Sequence, residues 1–201
     1  MAEMTLPVME SFYTIQGEGH NQGKAAFFIR LGGCDVGCVW CDVKESWPAE
    51  AHPQRTVAEI CEEIKASGAP NVVITGGEPS LYDLTALTAA LKKMGLQVWI
   101  ETAGTNPLQG DFDWICVSPK KFKPVLAENL AIAHELKVIV YHKSDLDWAK
   151  THQKSLNKAA KQYLQPEWSK EHEMLPLIIE YVKANPDWQI SLQTHKYMHI
   201  P

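Results

Sequence analysis

Long apolar runs are missing from this 201-residue chain; none approaches the roughly 18 residues needed to cross a bilayer. A membrane role is not expected. The opening residues, MAEMTLPVMES, hold neither a basic region nor an apolar run, so no secretory signal is expected. Basic charge is also short. Lys and Arg number 19 against 24 Asp and Glu, a net charge of -5. Such a surface does not suit a nucleic-acid backbone, and no nucleic-acid partner is expected. Repeats, low-complexity tracts and long linkers are absent, and 45% of residues are hydrophobic. That composition suits a single globular domain over 1–201. Cysteine is scarce, at five residues, and the count is odd. With no signal or membrane span expected, the expected compartment is the cytoplasm, where disulfides are rare, and the odd count agrees with that.

What is present is alternation. Short apolar, β-branched runs predict strands at 25–31, 71–75, 97–101, 114–118, 135–141 and 160–165. Longer amphipathic segments lie between them. Thr56 and Glu59 form a capping box for a helix over 57–67, whose apolar positions Val57, Ile60, Cys61 and Ile64 share a face. LTALTAALKKMG is a second helix, ended by Gly95, and another is expected over 170–184. WQISLQTH reads as a final extended piece, and 120–134, with Pro124, as the least regular region. This is an α/β pattern of about six parallel units, too few for an eight-fold barrel. TGGEP, ETAGT, SPK and QPEW each begin at the last residues of a predicted strand. In such folds the C-terminal strand ends form the ligand face, so the four segments converge on one mouth.

Three of the five cysteines fall within eight residues, in GGCDVGCVWCD: Cys34, Cys38 and Cys41. Three sulfurs are one short of a closed tetrahedral zinc site, and no further Cys or His lies nearby to complete it. Three thiolates can hold three irons of a [4Fe–4S] cubane and leave the fourth iron open to a small molecule; zinc binding or plain buried thiols are the alternative. Gly33 and Gly37 let the backbone wrap closely, while Trp40 and Val39 screen the cluster from water. Cys61, on a helix's apolar face, and Cys116, inside a strand, read as core. His134, His142, His152 and His172 sit in polar segments and read as solvated. The seven tryptophans have no basic stripe beside them and read as core and pocket walls.

The cysteine spacing resembles the signature of the radical S-adenosylmethionine enzymes. That resemblance implies a [4Fe–4S] cluster whose open iron is chelated by S-adenosyl-L-methionine, and a 5′-deoxyadenosyl radical formed on one-electron reduction. TGGEP resembles the superfamily's cofactor-binding segment. Paired glycines expose carbonyls to the ligand ammonium, and Glu78 adds negative charge. FYTIQGEG, GCxxxCxWCD, TGGEP, ETxGT, SPK and LQTHKYMHIP together resemble the 7-carboxy-7-deazaguanine synthase family, over Phe12 to Pro201. The implied fold is a shortened, modified (β/α)6-type partial TIM barrel with an N-terminal substrate-binding extension and a docked C-terminal tail. The implied reaction contracts the ring of 6-carboxy-5,6,7,8-tetrahydropterin to 7-carboxy-7-deazaguanine with loss of ammonia, a lyase step toward queuosine. A homodimer and a reductant such as flavodoxin are implied as partners.

Site residues carry over position by position. Trp40, Asp42, Gly76, Gly77, Glu78, Ser118, Pro119, Lys120, Gln165, Pro166, Glu167 and Trp168 would contact the cofactor. Ile15, Gln16, Gly17, Arg30, Thr75, His195 and the terminal Pro201 would contact the pterin. Arg30 would clamp the substrate carboxylate, and Pro201 would be carried there by a docked strand near 188–192. Glu101, Thr102 and Thr105 are expected in the pocket without an assigned role. One position departs from the family pattern, Cys-Asp-Thr: here it reads Cys41-Asp42-Val43. The family threonine ligates a Mg²⁺, and Val43 has no oxygen with which to do so. Two other readings remain. An activating enzyme acting on a protein partner uses the same cysteine spacing, although the QGEG segment and the absence of an added cysteine cluster argue against it. A zinc or electron-transfer module is the third.

Overall fold

Side chains alternate across each strand, and here both sides are used. The computed structural model describes residues 4–201; the first three residues of the segment read as lacking a targeting signal lie outside it. The strands are β1 (Thr5–Ile15), β2 (Ala25–Leu31), β3 (Gln54–Thr56), β4 (Asn71–Gly76), β5 (Gln97–Thr102), β6 (Trp114–Val117), β7 (Glu135–Val140), β8 (Lys161–Pro166) and β9 (Trp188–Ile190). They form one sheet in the order β3-β1-β2-β4-β5-β6-β7-β8-β9. From β2 to β9 every neighbouring pair is parallel, while β1 runs antiparallel to β2 and β3.

The outward side chains of these strands meet the helices α1 (Val57–Ser67), α2 (Thr85–Lys93), α3 (Ala127–Ile132), α4 (Ser144–His152) and α5 (Glu171–Ala184). Ile29, Val72, Ile74, Val98, Ile100, Leu136, Val138 and Leu164 pack there with Ile60, Ile64, Leu87, Leu91 and Ile178 in one core. Each such buried side chain contributes about 1.5–3 kcal/mol relative to exposure. Helix α1 begins as the capping box requires. Thr56 Oγ1 accepts from Glu59 N at 3.2 Å, and Glu59 Oε2 accepts from Thr56 N at 2.7 Å. It ends on Gly68 at φ 68°, a left-handed position that suits glycine.

The inward face differs. Ala26, Val73 and Trp99, with Phe28 and Trp114, fill only the lower end. Toward the C-terminal strand ends, the inward positions become Glu101, Lys137 and Gln165, which line a chamber there. The sheet does not close on itself. The loop after β1 and the segment after β9 meet across the gap: Thr194 N donates to Gly17 O at 3.0 Å, and Gly19 N to Ser191 Oγ at 2.9 Å.

The six predicted parallel strands are β2 and β4 to β8, and the partial-barrel fold class holds. Strand β1 was not anticipated. Pro7 sits inside it, and a bulge between Val8 and Glu10 shifts its alternation midway. WQISLQTH is strand only over 188–190, and its end turns into α6 (Thr194–Met198). The region 120–134 contains α3. His142 and His172 are exposed as expected, but His134 and His152 are half-buried. The His134 ring accepts from Ile115 N at 3.1 Å, and the His152 ring packs edge-on against Trp148.

Candidate active site

The cysteine loop leaves β2 through Gly33 at φ 92° and is pinned from behind. Gly33 N donates to Ser46 O at 2.6 Å, Cys34 N to Trp47 O at 3.1 Å and Cys41 N to Cys38 O at 3.1 Å. All three cysteines are free thiols and face one chamber of about 290 Å³ at the C-terminal ends of the strands. They pack with Val36, Trp40 and Ala103. Trp40 lines the chamber as expected, whereas Val39 turns outward at 67% exposure and screens nothing.

Burial pushes the Cys34 thiol up, with Glu78 and Cys41 adding repulsion against its backbone hydrogen bonds. Burial likewise pushes Cys38 up to about 11, a shift that Lys120 only partly offsets. Cys34 and Cys38, which ionise reluctantly on their own, become thiolates when a cation binds among the three sulfurs. Among the described residues, no three His, Cys, Asp or Glu groups converge on a single-ion position. All three cysteines line that chamber. That donor set suits a multi-iron cluster with an open corner better than one zinc ion.

The TGGEP segment forms the facing wall by backbone contact. Gly77 N donates to Leu31 O at 2.9 Å, and Glu78 N to Gly33 O at 2.7 Å. A β-carbon on Gly77 would overlap that Gly33 oxygen, and one on Gly76 would overlap the Leu31 carbonyl. The Glu78 carboxylate is 1% exposed and spent internally. It accepts from Ser80 N at 2.9 Å, from Ala103 N at 2.7 Å and from the Thr102 hydroxyl. It therefore ties the end of β4 to the end of β5.

Of the residues singled out in the sequence, Ile15, Gln16, Gly17, Arg30, Cys34, Cys38, Trp40, Cys41, Asp42, Val43, Thr75, Gly76, Gly77 and Glu78 line the chamber. So do Glu101, Thr102, Ser118, Lys120, Gln165, Pro166, Glu167, Trp168, His195 and Pro201. Pro119 faces a neighbouring cavity of about 270 Å³ instead, beside Val39, Trp40 and Phe122. Thr105 is buried behind the wall, accepting from the Asn106 amide. Cys116 is buried on the inward face, where its thiol meets Glu101; burial raises its pKa well above the usual range.

Arg30 Nε donates to Glu10 Oε1 at 2.5 Å. Asp42 pairs with Lys196 at 3.2 Å, and the Lys196 ammonium lies 5.2 Å from the centre of the Trp168 ring. Lys120 Nζ donates to Ser118 O and Oγ at 2.5 and 2.6 Å; burial lowers its pKa. His195 packs so closely on Gly17 that a β-carbon there would overlap its ring. Sequence reasoning missed Glu18, Lys137, Gln193 and Lys196, which also line the chamber. Lys137 Nζ lies 2.6 Å from Glu18 Oε2 and 2.8 Å from Glu101 Oε2.

Known proteins resemble both sequence and shape. The radical SAM superfamily profile matches residues 28–135. A 7-carboxy-7-deazaguanine synthase of Flavobacterium psychrophilum is 56% identical over 98% of this chain and 93% of its own. That of Synechocystis is 45% identical over 98% and 94%. The crystal structure of QueE from Escherichia coli superposes with a TM-score of 0.84 at 33% identity, covering 94% of this chain and 93% of that one.

Proposed function

The chain belongs to the 7-carboxy-7-deazaguanine synthase family of the radical SAM superfamily, and on that premise we propose how its chamber performs the family reaction. The substrate is 6-carboxy-5,6,7,8-tetrahydropterin, the product 7-carboxy-7-deazaguanine, and the pathway queuosine synthesis. The observation that carries this reading is that four strand-end segments and the cysteine loop line one chamber, together with the Gln16 loop.

Cys34, Cys38 and Cys41 would hold the [4Fe–4S] cluster. Bound together, cluster and S-adenosylmethionine supply the radical that takes a hydrogen atom from the substrate. The protein's residues do the rest by position. Gly76 and Gly77 keep the wall opposite the cysteines thin enough for a ligand backbone to approach. Ser118, Lys120, Gln165, Pro166, Glu167 and Trp168 offer a mixed polar and aromatic shelf for an adenosyl group. Pro119 belongs behind that shelf. Ile15, Gln16 and Gly17, with Thr75, His195 and Pro201, enclose the pterin. Arg30 faces the same space for the substrate carboxylate, with Glu10 fixing its Nε and leaving the outer nitrogens of the fork available.

The reading extends to one radical SAM core domain over 1–201, working as a cytoplasmic homodimer reduced by a flavodoxin-like donor. No helix among the described residues is long and apolar enough to cross a membrane. Where the family threonine stands, Val43 offers no oxygen, so any Mg²⁺ would rely on substrate, water and Asp42. The activating-enzyme reading is not favoured. The chamber's inner wall is a ring of polar contacts on the scale of a small heterocycle rather than a groove for a polypeptide.

The test is anaerobic incubation of the reconstituted protein with dithionite, S-adenosylmethionine and carboxytetrahydropterin, followed by mass spectrometry. A product of the mass of 7-carboxy-7-deazaguanine is expected. Its absence from a protein carrying a full cluster would overturn the reading.

A further inference from the structure

Beneath the substrate wall, one ammonium is shared by two carboxylates. The Lys137 side chain is 4% exposed and bridges Glu18 and Glu101 at 2.6 and 2.8 Å. The bonds continue into a ring. Glu101 Oε1 accepts from Gln16 Nε2 at 3.2 Å, and Gln16 Oε1 accepts from Glu18 N at 3.0 Å. Gln193 Nε2 braces the other oxygen of Glu18 at 2.9 Å. The ring thus joins β5, β7, the loop after β1 and the segment before α6. All of its members line the chamber.

A buried lysine of this kind does not come from packing needs alone. Taking an ammonium out of water is costly, and a methionine would fill the same volume. Burial disfavours the charged amine, yet Glu101 and Glu18 outweigh it and hold Lys137 well above its usual pKa. In return, Glu18 stays ionised despite its burial, its pKa held down to about 2 by Lys137 and Gln193. Two fixed carboxylates therefore border the space assigned to the substrate. The pyrimidinone edge of a pterin presents an amino group and a ring N–H, both donors.

Resting on the reading above, we propose that Lys137 is a positioning residue for substrate recognition: it holds the Glu18 and Glu101 carboxylates in place on the chamber wall, so that the wall accepts hydrogen bonds from the donor edge of the pterin. Two of the three Lys137 ammonium hydrogens are directed to the carboxylates and its side chain is 4% exposed, so it acts on the substrate through Glu18 and Glu101. A site built to accept from an amino group discriminates strongly against an analogue that lacks it.

Other ionisable groups face this ring. Glu135 and Cys116 lie beneath Glu101, His195 lies beside Glu18, and Lys120 faces Lys137 across the chamber. Without Lys137, Glu18 would lose the cation that offsets its burial and would take up a proton more readily. The acceptor wall would then carry a donor.

The probes are pterin-6-carboxylate and the matching lumazine, in which the 2-amino group is an oxo group. Affinities are measured by anaerobic calorimetry on cluster-loaded protein with S-adenosylmethionine present. The native protein should prefer the pterin. Lys137→Met should weaken pterin binding at least tenfold at pH 7 and erase most of that preference. Its affinity for S-adenosylmethionine should stay within about twofold of native. The ratio of variant to native affinity should recover as pH rises from 6 to 9. Lys137→Arg should retain most of the pterin affinity. If Lys137→Met folds poorly, Lys137→Met with Glu18→Gln removes one uncompensated charge and should show the same loss of preference.

Unchanged pterin preference in either variant would overturn the proposal. So would equal, pH-independent losses for both ligands, the mark of a purely structural brace. Native protein that binds neither probe would instead count against the function proposed above.

Discussion

The backbone N–H of Glu78 donates to the carbonyl oxygen of Gly33 at 2.7 Å. This contact presses the TGGEP segment onto the cysteine loop with no side chain between, and only glycine at position 77 allows it. Gly77→Ala should therefore push the two walls of the chamber apart. A cost of about 1–3 kcal/mol is expected, seen as a Tm lower by several degrees. Iron retained after anaerobic reconstitution should fall as well. Gly68→Ala is the control. Its φ of 68° is similarly unfavourable for alanine, a β-carbon there meets nothing within 4 Å, and it ends α1 rather than standing in the cysteine loop, so it should bind iron normally.

Replacing Cys34, Cys38 or Cys41 by Ala should remove the cluster's visible absorbance and all turnover. Cys61→Ala and Cys116→Ala should keep both. The loss for Cys61→Ala is on the order of a kcal/mol of packing. An iron-loaded, active Cys38→Ala protein would contradict the assignment of the cluster.

Val43 lines the chamber beside Asp42, whose carboxylate pairs with Lys196 at 3.2 Å. Val43→Thr adds a hydroxyl in nearly the same volume and should introduce or strengthen magnesium dependence. Turnover titrated with Mg²⁺ after chelation, in both proteins, measures this. Superimposable titrations would mean that position 43 does not meet the ion.

Two buried carboxyls should bend the stability curve in opposite directions. Against its burial, Lys137 and Gln193 hold Glu18 down at about 2, below its usual 4.5. Its contribution is complete above pH 4.5 and is lost as pH falls toward 2. Burial, then repulsion from Glu101, raises Glu135 from 4.5 to about 7. The folded protein thus holds a proton that the unfolded chain releases, and stability should fall as pH rises from 4.5 to 7. Glu135→Gln should remove that decline, worth on the order of 3 kcal/mol. Thermal melts at several pH values would show it as a Tm difference that grows between pH 4.5 and 7. Parallel curves for the two proteins would contradict it.

The parts of the site that sequence made legible are those carried by short chemistry. Three cysteines in eight residues, paired glycines after a strand and polar turns at strand ends each state their role locally. The parallel strands were legible for a similar reason, since each is a compact β-branched run. Strand β1 was hidden by Pro7 and by the bulge that breaks its alternation. Lys137 was hidden differently. ELKVIVY reads as a buried strand with one odd residue, and its partner Glu18 lies 119 positions away. The available signal was that Glu135 and Lys137 are two apart and so share a face, while Leu136, Val138 and Val140 share the other. Two charged residues on one face of a strand otherwise built for burial mark a polar lumen. In Ser118-Pro119-Lys120 the serine lines the first cavity, the proline the second and the lysine both, a division too fine for the sequence to carry.

The most direct test of the account is a stoichiometry. Anaerobic turnover with reductant, carboxytetrahydropterin and limiting S-adenosylmethionine, without any added protein substrate, is followed for both deazaguanine product and cofactor consumed. The account predicts more than one product formed per cofactor lost, because substrate and product differ only by ammonia, so the hydrogen atom taken at the start must be returned. No deazaguanine, or 5′-deoxyadenosine formed only when a second protein is supplied, would contradict it.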